Sequence, residues 1–386
     1  MSTTAGTPEI RRAPLSEEDG PRQGAGLCLS GGGYRAMLFH VGSLWRLNEA
    51  GRLRSLVRIS SVSGGSIAAG VLALHWKSLK FGDRDVATNF EPLLVAPLRA
   101  FARRTVDVWA VLLGALTPGL TINTQLARSY RALFGGATLA ELPPHPEFVF
   151  DATSLQSGDL WRFSSRVEGD WRVGTRRAPD TQLASVVAAS SAFPPILSPA
   201  RFSFPSGRLE PGNDPDVSRP PYTTRVVLAD GGVYDNLGLE AVWTRCEEVL
   251  ISDAGGHMGS KPGQSALWPL QMLRVLSVID NQVRDLRKRQ AVLSFIQKER
   301  TGAYWGIRSH VRDFGLADPI AEPSDAAVRA LAGVATRLAR MSEQVQERLI
   351  NWGYAICDTA LRAHVVKGAP AGTLPYPQAG LGDAGT

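Results

Sequence analysis

Residues 25–30, AGLCLS, form a short apolar run that stops at Gly31-Gly32-Gly33. The stretch after it, YRAMLFHVGSLWRLNEAG, places Met37, Val41, Leu44 and Leu47 three and four residues apart and closes on Gly51. That spacing predicts a strand, a glycine turn and a helix ended by a glycine cap. LVRISSVS predicts a second strand running into Gly64-Gly65, and SIAAGVLALHW a second helix with small residues on one side. Strand, turn and helix in repeated order mark an α/β fold, here with a mostly parallel central sheet flanked by helices. Farther on, residues 91–134 read as a greasy helical insertion interrupted at Pro97 and Pro118. Strands are expected over 147–153 and 159–166, a small-residue helix over 181–199 stopped by Pro194-Pro195, and a loop over 206–224. Two strong strands, 224–232 and 247–256, each end in a glycine turn. Additional C-terminal helices follow at roughly 265–298, 324–340 and 342–365.

No linker or repeat divides the chain, so one domain with insertions is expected. Residues 1–23 and 367–386 read as disordered tails on composition. Residues 24–256 carry the candidate chemistry, and 257–366 form a helical extension packed on the same domain. At 44% apolar and 20% charged, the composition is that of a globular protein. Three widely spaced cysteines, Cys28, Cys246 and Cys357, give neither a zinc spacing nor a disulfide framework. They read as buried, reduced thiols of an intracellular protein. The N-terminal stretch lacks the apolar core of a signal peptide, and no run of eighteen apolar residues exists to span a membrane. A cytoplasmic protein is the expectation.

Ser63, in ISSVSGGSIA, lies between a predicted strand and a predicted helix. That is the place of a nucleophile elbow, G-x-S-x-G, with Ser61 and Gly65 as its flanks. The tight turn would force the serine into strained angles and push its hydroxyl outward. A serine needs a base. Among the six histidines only His257, after Asp253-Ala254-Gly255-Gly256 at a strand end, is placed for that role. Asp230 is the better candidate: it ends the apolar strand RVVLA, it is followed by Gly231-Gly232, and active groups gather at strand carboxyl ends. A partly desolvated carboxylate there can take the serine proton directly. The glycines of SGGGYRA, residues 30–36, offer unhindered backbone N–H groups for an anion, phosphate or oxyanion. A dinucleotide site would want an acid at the end of the second strand, and a mononucleotide site Gly-Lys-Ser/Thr; neither is present. A nucleotide- or phosphate-binding module, or a catalytically inactive scaffold, stands as the alternative to an enzyme.

In this order the motifs resemble those of the patatin-like phospholipases. GGGYRA (31–36) is similar to the family's oxyanion loop, SVSGG (61–65) to its elbow, and DGG (230–232) to its Asp-Gly-Ala/Gly motif. ATSLQSGDLWRFS (152–164) and ASSAFPPILSP (189–199) are weaker matches. Ser30 and Ala36 depart from the residues most members carry there. The resemblance covers roughly 24–256. It implies a Ser–Asp dyad without histidine: Ser63 as nucleophile and Asp230 as general base. Gly31, Gly32 and Gly33 would line the oxyanion hole, and Arg35 and Gly64 would support loop or substrate. It further implies a lipid acyl hydrolase working through an acyl-enzyme, with no metal, no other cofactor and no nucleic-acid partner. Contact with a membrane surface would be transient. Residues 93–120 beside Arg99, Arg103, Arg104 and Trp109 could form either an interfacial helix or a buried cap over an acyl pocket, the cap being favoured. Arg284, Arg287, Lys288 and Arg289 could face anionic headgroups or simply water.

Overall fold

The computed structural model describes residues 23–106, 122–256, 259, 262–263 and 267–382. Residues 1–22 of the expected N-terminal tail, residues 107–120 of the greasy insertion, and His257 lie outside these.

Strand β1 (Ala25–Leu29) is buried along its whole length, and its side chains alternate between two apolar layers. Leu27 and Leu29 join the larger core, while Cys28 joins a smaller one with Leu237, Val242, Cys246 and Val249. A strand covered on both faces is what a parallel sheet under helices requires. Helix α1 (Gly33–Glu49), β2 (Leu56–Ser61) and α2 (Gly64–His75) follow in the predicted order. Next come α3 (Ala96–Ala102), α4 (Ile122–Phe134), β3 (Glu147–Ser154), β4 (Leu160–Phe163), β5 (Val167–Asp170), β6 (Gly174–Arg177) and α5 (Leu183–Ser190). Then β7 (Ala200–Ser203), β8 (Glu210–Pro211), β9 (Arg225–Asp230), α6 (Gly232–Asp235), α7 (Glu240–Trp243) and β10 (Glu248–Asp253) complete the first part of the chain. The remainder holds α8 (Trp268–Ile296), β11 (Thr301–Gly306), α9 (Asp325–Ala332) and α10 (Glu343–Ala360).

The sheet runs β11-β10-β1-β2-β3-β4-β5-β6-β8, parallel from β11 to β3 and antiparallel beyond. β9 has a separate place. Phe150 of β3 pairs with Ser61 of β2 and Phe163 of β4, so these two strands flank β3 on opposite sides. Ala152 pairs with Trp161 of β4 and with Asp230 of β9, so β9 lies on the side of β2. β2 leaves β3 at Phe150, and β9, running antiparallel, joins it at Ala152. The two strands therefore point at each other head-on, and their carboxyl ends meet two residues apart along β3.

Four features differ from the sequence reading. The C-terminal extension is not purely helical: β11 adds a parallel edge strand to β10. A six-residue strand opening Thr301-Gly302 is too short and mixed to show a period. β5 and β6 escape a hydrophobicity reading because they bury charge, with Glu168 joined to Arg176 at 2.5 Å. The helix expected to reach Arg340 ends at Ala332. Residues 367–382, read as disordered, pack along α1 and α10: Asn351 donates to the carbonyls of Tyr376 (2.7 Å) and Gly380 (3.0 Å), and Arg46 to that of Pro370 (2.8 Å). Composition misses this because the polar partners belong to helices elsewhere in the chain.

α1 and α10 cross with their backbones in contact. A Cβ on Gly42 would lie 2.0 Å from the Ile350 carbonyl oxygen, and one on Gly353 1.9 Å from that of Phe39. Of the expected interfacial segment, Arg99 turns inward to pair with Glu347 of α10, while Arg103 pairs with Glu343 at the exposed surface.

Candidate active site

Beyond Ser61 the chain turns through Val62 and Ser63 into α2. Ser63 takes φ 50°, ψ −113°, a conformation that side-chain-bearing residues avoid and that costs about 1–3 kcal/mol. Hydrogen bonds hold it there. The Ser63 N–H donates to Ser190 Oγ (3.1 Å), and the Gly65 N–H to the Val62 carbonyl (2.8 Å). Under the turn, Ser66 Oγ joins Ser61 Oγ (3.1 Å) and Ser190 Oγ (2.8 Å). Ser61, which stands where the elbow pattern has glycine, thus belongs to a buried hydroxyl chain. Ser66 and Ser190 were not singled out by sequence, since nothing in a small-residue helix distinguishes one serine from another.

The glycines are explained by close approach. A Cβ on Gly64 would sit 2.1 Å from the Gly33 carbonyl oxygen, and one on Gly65 2.3 Å from that of Leu29. A Cβ on Gly31 would sit 2.4 Å from Asn236 Oδ1 and 3.3 Å from Ser63 Cβ. The glycine loop thus lies directly against the serine. Gly32 (φ 142°) and Gly33 (φ 59°) take angles open mainly to glycine. The three N–H groups are not equivalent. That of Gly31 already donates to the Asn236 carbonyl (3.1 Å), which corrects its expected role as an oxyanion donor. Among the described residues, those of Gly32, Gly33 and Gly64 have no acceptor.

Asp230 ends β9 and is buried, with 2% of its surface exposed. Its Oδ1 accepts the Gly232 N–H (2.7 Å). Burial pushes its pKa up to about 7, against the downward pull of the Gly232 N–H and the nearby Ser63 hydroxyl, and Asp280 raises it further. The Asp230 main chain is pinned at both ends, its N–H on the Ala192 carbonyl (2.9 Å) and its carbonyl on Thr153 Oγ1 (2.8 Å). α5 stops at Ser190, before the prolines, which leaves Ser190 and Ala192 free to serve the elbow and the Asp230 turn.

Arg35 is buried and does not line the site. Its guanidinium donates to the carbonyls of Ala332 (2.8 Å), Val334 (2.9 Å) and Ala254 (2.8 Å). Burial lowers its pKa to about 10. It ties the segment after α9 across the glycine loop, where Tyr34 N–H reaches the Arg337 carbonyl (3.3 Å). A charged hydrogen bond contributes about 1.5–3 kcal/mol, so Arg35→Met is expected to lower stability by at least about 2 kcal/mol in urea unfolding.

A second carboxyl pair sits behind the site. Asp151 is buried, accepts the Ser60 hydroxyl (2.7 Å), and is raised to about 7 by burial despite that bond, with Asp235 adding repulsion. Its carbonyl packs against Gly231, where a Cβ would come within 2.4 Å. Among the described residues no three His, Cys, Asp or Glu side chains are arranged to hold a metal ion. Likewise, no described helix is long and apolar enough to cross a membrane.

No curated protein matches the chain by sequence. Among solved structures it resembles human GIVD cytosolic phospholipase A2, at 15% identity over 89% of this chain and 62% of that one, with a TM-score of 0.47. The same protein in complex with methyl gamma-linolenyl fluorophosphonate aligns at 14% identity over 87% and 57%, TM-score 0.46. VipD from Legionella pneumophila aligns at 14% identity over 89% and 67%, TM-score 0.35. The chain thus spans about three-fifths of the first of these. The family model for patatin-like phospholipase matches residues 27–243, more than half of the sequence and the whole span from glycine loop to Asp-Gly-Gly turn. By that match, the chain belongs to the patatin-like phospholipase family.

Proposed function

We propose that the protein is a serine acyl hydrolase that cleaves fatty acyl esters of phospholipids or related lipids through Ser63 and Asp230. The observation that carries this is the end-to-end meeting of β2 and β9 on β3, which brings the strained elbow of Ser63 toward the buried carboxyl of Asp230, whose pKa burial raises to about 7. Asp230 takes the Ser63 proton as Oγ attacks the ester carbonyl carbon. Negative charge developing on the carbonyl oxygen falls to the unpaired N–H groups of Gly32, Gly33 and Gly64, aided by the N-terminus of α2. Collapse of the tetrahedral adduct breaks the ester C–O bond, and the proton on Asp230 passes to the departing alcohol. Water then attacks the acyl-Ser63 carbonyl, giving its proton to Asp230, and the acid departs as Ser63 recovers its hydrogen.

A fluorophosphonate probe should label purified protein at Ser63 alone, as read by peptide mapping. Labelling elsewhere, or none, overturns the reading. The pH profile gives an independent check. Asp230 acts as a base only when ionised, so kcat/KM on a soluble ester is expected to rise tenfold per pH unit well below about 7 and to level above it. A profile flat from pH 5 to 8 would exclude Asp230 as the base.

A further inference from the structure

The N-terminal half of α8 exposes apolar side chains over most of its circumference, and Arg274, on the remaining polar side, donates to the Gly259 carbonyl (2.8 Å). Over residues 268–279 the sequence WPLQMLRVLSVI contains one charge, Arg274. Trp268, Leu270, Met272, Leu276 and Ile279 are each 48–72% exposed, and Leu273, Val275 and Val278 also face solvent. A surface helix ordinarily turns one apolar stripe inward and a polar face outward. Here the exposed apolar residues cover most of the circumference, wider than the single stripe a protein groove takes, and Gln271, Arg274 and Ser277 mark the remaining side. Acyl chains can cover that broad apolar surface while the polar side meets headgroups and water. Twelve residues rise about 18 Å, enough to enter one leaflet and too short to cross a bilayer.

Charge agrees with this. Of the basic cluster read from sequence, Arg284 is buried against Gly255, and Arg287 is engaged by Asp235 and Glu240. The exposed charges remaining on α8 are Lys288, whose ammonium also lies 4.7 Å from the Tyr304 ring centroid, and Arg289; they stand about 14–15 Å from Ile279 and about 24–26 Å from Met272 along the axis at the ordinary helical rise. Asp280 and Asp285 are turned inward and half-buried. A helix with an apolar tip and a positive base complements an anionic lipid surface. Arg287 also stacks on Tyr234, beside the Asp-Gly-Gly turn, so the base of the helix adjoins the site.

We propose that residues 268–279 insert into the interfacial region of an anionic lipid surface and bring the mouth of the site to it. The proposal builds on the lipid-hydrolase reading, but vesicle binding does not require turnover, so the two fail separately. The test is co-sedimentation of the full chain with vesicles of phosphatidylcholine containing 30% phosphatidylglycerol, for wild type and Leu273→Glu/Leu276→Glu, with hydrolysis of a soluble butyrate ester measured alongside. The double variant is expected to lose at least tenfold in vesicle binding while keeping soluble-ester turnover within twofold. Lys288→Gln/Arg289→Gln should reduce binding only when the anionic lipid is present. Equal sedimentation of wild type and the Glu variant overturns the proposal. So does a dimer in light scattering that the same substitutions dissolve, because a second copy would then be the cover. Wild type that sediments without hydrolysing any ester would uphold the docking and refute the proposed function.

Discussion

Ser63→Ala is expected to reduce ester hydrolysis by about 10⁴-fold or more, since no other described group is positioned to form the acyl bond. Asp230→Asn should cost about 10²–10⁴-fold, the usual contribution of a general base. The two variants should differ in stability. Raising the Asp230 pKa to about 7 means that the native state binds a proton the unfolded chain releases near pH 4. That preference favours the fold at low pH and is lost as pH rises toward 7. Asparagine removes the buried charge, so Asp230→Asn should unfold at higher temperature than wild type at pH 8, with the difference shrinking toward pH 5. Ser63→Ala removes a hydroxyl that stabilises the ionised carboxyl, so it should gain nothing at pH 8. Calorimetry at the two pH values, paired with steady-state kinetics on a soluble ester, separates the roles. An Asp230→Asn protein that is both active and no more stable at pH 8 would refute the assignment of the base.

Gly353→Leu should abolish the native fold or destabilise it by more than about 3 kcal/mol, because a side chain there meets backbone that cannot move independently. Helix-interior glycine normally costs about 1 kcal/mol relative to alanine, so its presence in the middle of α10 needs a reason. The reason is the 1.9 Å approach to the Phe39 carbonyl oxygen, matched by Gly42 against Ile350. Separating α1 from α10 would also disturb the glycine loop, since Gly32 caps the start of α1. Gly136→Ala is the control: nothing lies within 4 Å of a Cβ there, and its unfolding should match wild type. Urea denaturation followed by circular dichroism reads both. α10 lies beyond the span that matches the family model, so the same result would show that the catalytic half depends on residues the motifs do not reach.

Much of the sheet was legible because β1, β2, β9 and β10 each carry a short apolar run that ends in a glycine or serine turn. Two faces of burial leave no polar alternation to confuse such strands with anything else. Ser63 and Asp230 could be paired on the carboxyl-end rule, and the structure brings them together. It does so through an antiparallel β9 meeting β2 head-on, an arrangement that no local pattern encodes. The supports stayed hidden for similar reasons. Ser190 lies 127 residues from Ser63, and Arg35 reaches carbonyls nearly 300 residues away. Asp151 lies within β3 and belongs to no motif, although burial raises it and Asp230 to similar values. The difference between Gly31 and its two neighbours depends on one carbonyl, that of Asn236, which sequence spacing does not locate.

β3 leaves the dyad at Ser154, and the chain returns opposite the same residue at Leu228. Everything between is a detour that begins and ends on one rung. Its outer hairpins, β5–β6 and the stretch around β8, join the sheet through β4, on the side of β3 away from β2 and β9. Insertions, deletions or wholesale exchange there would leave untouched the three pairs that set Asp230 across from Ala152. Descent from a common ancestor can therefore remodel this outer surface freely while the reacting atoms keep their spacing.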